Sequence, residues 1–136
     1  MKAHIVSPIP ERVLVYAVEQ ELRPKLTTVL QRLSIEEYIV SDLDLAQDVG
    51  YLAGFPGFAS KEEAVSAPPA CGGVLCMCGI SNQRMNLLLK SLREEEIVIP
   101  LKAMVTATNQ RWSFVKLIEE LSKEHQAILQ QKKEKA

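Results

Sequence analysis

Three cysteines and one lysine are the side chains of this sequence that first invite chemistry. Cys71, Cys76 and Cys78 follow a C-x4-C-x-C spacing. On a strand, Cys76 and Cys78 project to the same face about 7 Å apart, with Cys71 in the loop before them. Thiols so placed would ligate a metal or serve as a redox group. A structural zinc site, however, uses paired C-x2-4-C units with a second pair elsewhere. The two histidines, His4 and His125, are not near in sequence. Cysteine also packs as a small hydrophobe, so core packing is the expected role, with no metal and no cofactor. Lys102 lies between Leu101 and Ala103 inside an apolar run. On an edge strand it would guard against edge-to-edge pairing. Partly buried, it would hold an anion or, with a lowered pKa, do chemistry with Thr106 or Asn109.

Further polar residues stand at the ends of apolar runs. Glu19 and Gln20 follow the first, Ser81 and Asn82 the third, and Thr106, Thr108 and Asn109 the fourth. Helix N-termini at such ends offer free N–H groups and partial positive charge, which suits a small anion or carboxylate. Ser81 and Ser113 serve equally as helix caps, and Thr108-Asn109 as a turn. Several enzyme classes are excluded by motif. There is no G-x-x-x-x-G-K-[ST] phosphate loop, no G-x-G-x-x-G after the first strand and no G-x-S-x-G elbow. A phosphoacceptor receiver needs paired acids after strand 1 and an Asp ending strand 3. Here strand 1 leads to the single Glu19 flanked by Gln20, and strand 3 ends at Gly79. Neither histidine neighbours a nucleophile that it would activate.

The elements that must position these residues alternate. Arg12–Val18 reads as a strand buried on both faces. Leu22, Leu26, Val29, Leu30 and Leu33 make one helical stripe, with Pro24 in the first turn. Glu37–Val40 is a second strand. Leu45, Val49, Leu52 and Ala53 keep helical offsets up to a stop at Gly54. Residues 54–73 form a long connection, with a short helix expected over Lys61–Val65. Val74–Cys78 is the third strand. Ser81 caps a helix through Met85, Leu88, Leu89 and Leu92, with Ile80 and Met85 at the positions of a hydrophobic staple. The fourth apolar run, Ile97–Val105, contains Pro100, so its strand is an edge or begins just after the proline. The last helix starts at Ser113 and presents Phe114, Leu117, Ile118, Leu121, His125 and Ile128. A polar tail is expected to fray from Gln130. Residues 1–11, with Pro8 and Pro10, read as an extended lead-in. No internal repeat of 20–50 residues is legible beyond the alternation itself.

With 136 residues the chain is one α/β domain, residues 1–136, with its core over about 12–125. Hydrophobic residues make up 47% and charged residues 24%, which excludes a disordered chain; at 5% aromatic, the core must be mainly aliphatic. Sixteen basic against seventeen acidic residues give a formal charge of −1, without the positive field of a nucleic-acid binder. The basic run Lys132-Lys133-Glu134-Lys135 reads as a solvated helix end. There is no signal peptide and no membrane-spanning run, and the clustered, odd-numbered cysteines point to reduced thiols, so a cytoplasmic protein is expected.

Four strand–helix units predict a three-layer domain: a mainly parallel four-stranded sheet of order 2-1-3-4, with helices on both faces. Ligands of such sheets favour the crevice beyond the strands' carboxyl ends, where the order reverses. That crevice would gather Glu19, Ser81, Asn82, Thr106, Thr108 and Asn109.

Two stretches, Tyr51-Leu-Ala-Gly-Phe-Pro-Gly-Phe58 and Ile99-Pro-Leu-Lys-Ala-Met-Val-Thr-Ala-Thr-Asn-Gln-Arg-Trp112, resemble a family of small bacterial proteins, domain-of-unknown-function family 3783. Its members look like Y-L-x-G-x-P-G-F followed by I-P-L-K-A-x-x-T-x-T-N-x-x-W. Gly79-Ile80-Ser81 also looks like the family's G-F-S turn. The resemblance covers roughly residues 13–125 and carries no assigned activity. It implies that Lys102, Thr106, Thr108, Asn109 and Trp112 belong to a shared feature, and it leaves the cysteines outside the motifs. Phe55 and Phe58 would close over the sheet edge or form an apolar patch for a partner.

Three functions follow as expectations. The first is a non-catalytic module that binds a partner protein or a small anionic ligand. The second is an enzyme using Lys102 with Thr106 or Asn109. The third is a structural homodimer paired through the fourth strand or the Gly54–Phe58 turn.

Overall fold

The computed structural model describes residues 11–68 and 72–135. The extended lead-in expected over residues 1–11 lies, but for Glu11, outside the described residues, as does Cys71. The strands are β1 (Arg12–Tyr16), β2 (Glu36–Ile39), β3 (Val74–Cys78) and β4 (Leu101–Met104). The helices are α1 (Arg23–Arg32), α2 (Val49–Ala53), α3 (Asn82–Glu94) and α4 (Phe114–Lys135). Short 3₁₀ turns, Asp42–Asp44 and Asn109–Arg111, precede α2 and α4. β4 begins immediately after Pro100, whose missing N–H keeps the ladder from starting earlier. The helix expected over Lys61–Val65 does not form; residues 59–68 carry no regular structure. The tail from Gln130 lies within α4, which runs on to Lys135.

The sheet order is β2-β1-β3-β4, as the alternation implies, but the sheet is mixed rather than mainly parallel. β1 pairs parallel with β2 and β3 with β4, while the central pair β1/β3 is antiparallel. An apolar run buried on both faces records burial and says nothing of direction. The crossover rule fixes hand only within a βαβ unit. The link from β2 to β3 is not such a unit: α2 is one short turn, followed by exposed irregular chain that lets β3 enter reversed.

The reversal relates two copies of one unit. A step of 62 residues (12 to 74) carries β1 onto β3. The same step carries the left-handed residues Ala17 and Ser34 onto Gly79 and Glu96, and the buried Val18 and Ile35 onto Ile80 and Ile97. The bond from Ile35 N–H to Leu30 C=O, 2.9 Å, recurs from Ile97 to Leu92, 2.8 Å. Three extra residues, Val98-Ile99-Pro100, then lengthen the step to 65 (36 to 101). It carries β2 onto β4, Ser41 onto Thr106, Asp44 onto Asn109 and Asp48 onto Ser113. The local two-fold passes between Leu14 and Cys76, which face each other across the central pair. It passes again between Asp48 and Ser113, which form an antiparallel bridge. There Val49 N–H donates to Trp112 C=O (2.8 Å) and Phe114 N–H to Gln47 C=O (2.9 Å), each bond the image of the other.

Alternation along the strands fills two cores. Val13, Val15, Leu75 and Met77 face α1 and α3 through Leu26, Val29, Leu30, Leu88 and Leu92. Leu14, Tyr16, Val74, Cys76, Cys78 and Leu101 face α2 and α4 through Val49, Leu52, Phe114, Leu117 and Ile118. Helices therefore lie on both faces of the sheet. Among the described residues, no helix is long and apolar enough to cross a membrane.

Candidate functional site

The reversed central pair decides where the polar residues lie. Ser81, Asn82, Thr106, Thr108 and Asn109 follow the parallel strands β3 and β4 and share one end of the sheet. Glu19 follows β1 and lies at the other. The crevice expected to gather all six is therefore not formed. At the β3 end, Ser81 Oγ accepts from Arg84 N–H (3.2 Å), which makes it the cap of α3. The carboxylate at this end is the chain's own. Arg84 holds Glu11 through Nε (3.0 Å) and Nη2 (2.7 Å), and also donates to Leu33 C=O. Those bonds hold the Glu11 carboxyl below the ordinary glutamate range, against the upward push of burial.

The Thr106–Asn109 turn is closed on itself. Asn109 is buried. Its Oδ1 accepts from Thr106 N–H (2.7 Å), and its Nδ2 donates to Met104 C=O (3.0 Å). Asn109 N–H in turn donates to Thr106 Oγ1 (3.0 Å). This is reciprocal side-chain-to-backbone capping, and it commits the Asn109 amide to its own turn through Oδ1 and one N–H. Ser41 and Asp44 repeat it in the first unit, with Asp44 Oδ2 3.1 Å from Ser41 N. Lys102 is exposed, and its Nζ donates to Ile99 C=O (2.6 Å) on its own strand approach. It borders a small cleft of about 120 Å³ between the β4 edge and Leu121, His125 and Ile128 of α4. Thr106 and Asn109 are not among the walls of that cleft.

Cys76 and Cys78 are free, buried thiols in the second core. The Cys78 thiol points to Cys76 C=O (3.6 Å); its interaction with Cys76 and its burial push its pKa far up, away from thiolate chemistry. Among the described residues, no group of three metal-ligating side chains comes together.

Three of the remaining sequence candidates, Phe55, Phe58 and Trp112, bring the two motifs together. The left-handed Gly54 (φ 82°) stops α2. The following turn folds back so that the Phe58 ring sits on Gly50, where an added Cβ would lie 2.5 Å from it. Gln47 anchors the outgoing chain, exchanging bonds with the backbone N–H and C=O of Lys61 (2.8 and 2.7 Å), while Lys61 Nζ pairs with Asp48 (2.8 Å). Phe55 and Trp112 pack on the second core, and Lys116 Nζ stands 5.1 Å from the centre of the Trp112 ring. Between the turn and the 3₁₀ segment opens a cleft of about 310 Å³, lined by Phe55, Pro56, Gly57, Phe58, Gln110 and Arg111. Arg111 is exposed and has no ion-pair partner among the described residues. From Ile97 to Ile118 the chain carries Lys102, Arg111 and Lys116 and no acid. An aromatic wall with one free guanidinium suits a carboxylate attached to an apolar body.

Sequence reasoning missed Glu11, Arg84, Gln47 and Arg111. Arg111 stood inside the second motif and carried a legible signal as a cation in an acid-free stretch. Gln47 carried none, because its bonds go to the backbone of a residue in an irregular loop.

No curated protein and no solved structure matches the chain. A family match begins at the first residue of β3 and ends within α4, leaving the Tyr51–Phe58 motif and the first unit outside it. The second unit of the chain, residues 74–128, matches the model of the family described as Domain of unknown function (DUF3783).

Proposed function

We propose that the protein is a non-catalytic binding module, working in a bacterial cytoplasm. Its cleft between the Phe55–Phe58 turn and Arg111 would receive a carboxylate-bearing segment of a partner protein. The observation that supports this reading is the convergence of both motifs on one opening whose only cation is unpaired among the described residues. The walls hold no nucleophile and no acid–base pair. A reaction built on Lys102 is less well supported, because Lys102 is engaged by Ile99 C=O and Asn109 is consumed by its own turn.

The test is a peptide array of acidic segments and their amide-neutralised counterparts, probed with the full chain. Acidic segments are expected to bind, and Arg111→Glu to abolish that binding. Arg111→Ala should weaken it by about tenfold or more, the equivalent of about 1.4 kcal/mol. Binding that ignores both substitutions would sink the reading. Free dicarboxylates that alone raise the melting temperature, with no peptide selected, would replace the partner protein with a small anionic ligand.

A further inference from the structure

The two flanks of the sheet differ in what covers them. α4 runs back along β4, where Leu121, His125 and Ile128 face Pro100 and Leu101 across a small cleft. Its image in the first unit, α2, stops at Gly54, so no helix continues over β2. Arg12 stands in that space: it donates to Leu52 C=O (2.8 Å), pairs with Glu36 (2.6 Å) and lies 5.8 Å over Tyr38. Beside it Tyr38 reaches Asp44 (3.5 Å), and the neighbouring Leu43 is 87% exposed. Tyr51 is also exposed, and near enough to Tyr38 to influence its ionisation. From Leu33 to Ser60 the chain carries five acids (Glu36, Glu37, Asp42, Asp44 and Asp48) and no base.

α4 has the complementary character. At 22 residues it is about 33 Å long, against about 13 Å for the four residues of β4, so its last turns overhang the sheet. The overhang exposes Ile128 and Leu129. From Gln126 to Lys132 it contains no acid and ends on an exposed lysine. Helical turns without a packed face are marginal in water.

We infer that the occupant of the β2 flank is a second copy of this chain. The distal turns of its α4 dock on Leu43, Tyr38 and Tyr51, and the contact is returned reciprocally in a two-fold dimer. Apolar side chains meet apolar side chains, and a basic helix end meets a flank whose acids outnumber its bases, Arg12 and Lys61. Reciprocal exchange makes the contact isologous, so it closes at two chains. The inference is independent of the cleft at Arg111 and uses none of its residues.

Sedimentation velocity on the full chain tests it. The wild type should sediment as a dimer at micromolar concentration. Leu43→Arg on the flank and Leu129→Asp on the helix should each sediment as a monomer with an unchanged circular dichroism spectrum, since both positions are exposed. Val98→Arg, at a 76% exposed position outside the contact, should remain dimeric. An equimolar mixture of Leu43→Arg and Leu129→Asp should form a heterodimer, because one intact flank then meets one intact helix. A wild type that stays monomeric, a dimer that survives both substitutions, or a mixture that fails to associate would each overturn the inference. Hydrogen exchange needs no variant: amides 126–132 should slow with rising protein concentration, and concentration-independent exchange would overturn it equally.

Discussion

β2 and β4 close opposite edges of the sheet within equivalent units, yet one flank is acidic and largely uncovered, while the other is basic and roofed by a long helix. The frame beneath them is shared: the same left-handed positions, the same helix-ending bonds and the same reciprocal bridge at Asp48 and Ser113. What differs is one helix stop. Gly54 ends α2 where α4 continues past Gln126, and the strand positions beneath each helix have followed. Leu101 and Ala103 face the second core under α4, where Glu36 and Tyr38 stand in the first unit. A buried frame thus tolerates opposite surfaces, because edge chemistry is decided by what covers the edge and not by the fold.

The largest expected effect tests whether the two units are anchored alike. Phe114 is fully buried, with its ring edge-on to Tyr16 at 5.9 Å, and Val49 is its image. Phe114→Ala should destabilise by about 3–5 kcal/mol in urea denaturation, since it removes a large side chain from a site that cannot collapse. Val49→Ala should lose about 2 kcal/mol, in proportion to the smaller group deleted. Equal losses would mean that the α2 side carries more of the fold than its five residues suggest.

The element order, the sheet order, Ser81 and Ser113 as caps and the Gly54 stop were legible because each has a local chemical cause. Strand direction was not. A fully buried strand has no alternation to show which way it runs, and the irregular link over residues 59–68 left both directions open. The expected ligand crevice fell with that choice, since it needed Glu19 and Ser81 at the same end. The two-fold repeat was hidden for another reason. Equivalent positions share backbone conformation and exposure rather than residue type, as in Ala17 and Gly79 or Ser34 and Glu96. The second motif, which drew attention as a possible site, is largely the closure of a turn. Its one unpaired cation, Arg111, was the less conspicuous residue.

The capping turns sharpen the comparison at intermediate size. Asn109 is buried and bonds both Thr106 N–H and Met104 C=O, so Asn109→Ala removes both bonds at once. A loss of about 2–3 kcal/mol is expected. Asp44 performs the equivalent task at a half-buried position beside the exposed Ser41, where water can in part replace it, and Asp44→Ala should lose about 1 kcal/mol. If Asp44 proved the costlier position, the first unit's flank would be buried in solution, as a docked second copy requires.

The smallest effect appears only in alkali. Burial raises the Tyr38 pKa above the ordinary tyrosine range, and the charge and hydrogen bond of Asp44 raise it further, with Arg12 opposing. The folded state therefore holds this proton more tightly than the unfolded chain. The corresponding stability is fully present below the unfolded pKa of about 10 and is lost as pH rises through the higher folded value. Its image, Ala103, has no proton to lose. The denaturation midpoint of the wild type should thus fall more steeply above that pH than that of Tyr38→Phe, with the two slopes alike near neutrality. Parallel slopes throughout would show that Tyr38 is as open to water as an unfolded tyrosine, and the polar plug of Arg12, Glu36 and Tyr38 would then shelter nothing on the bare flank.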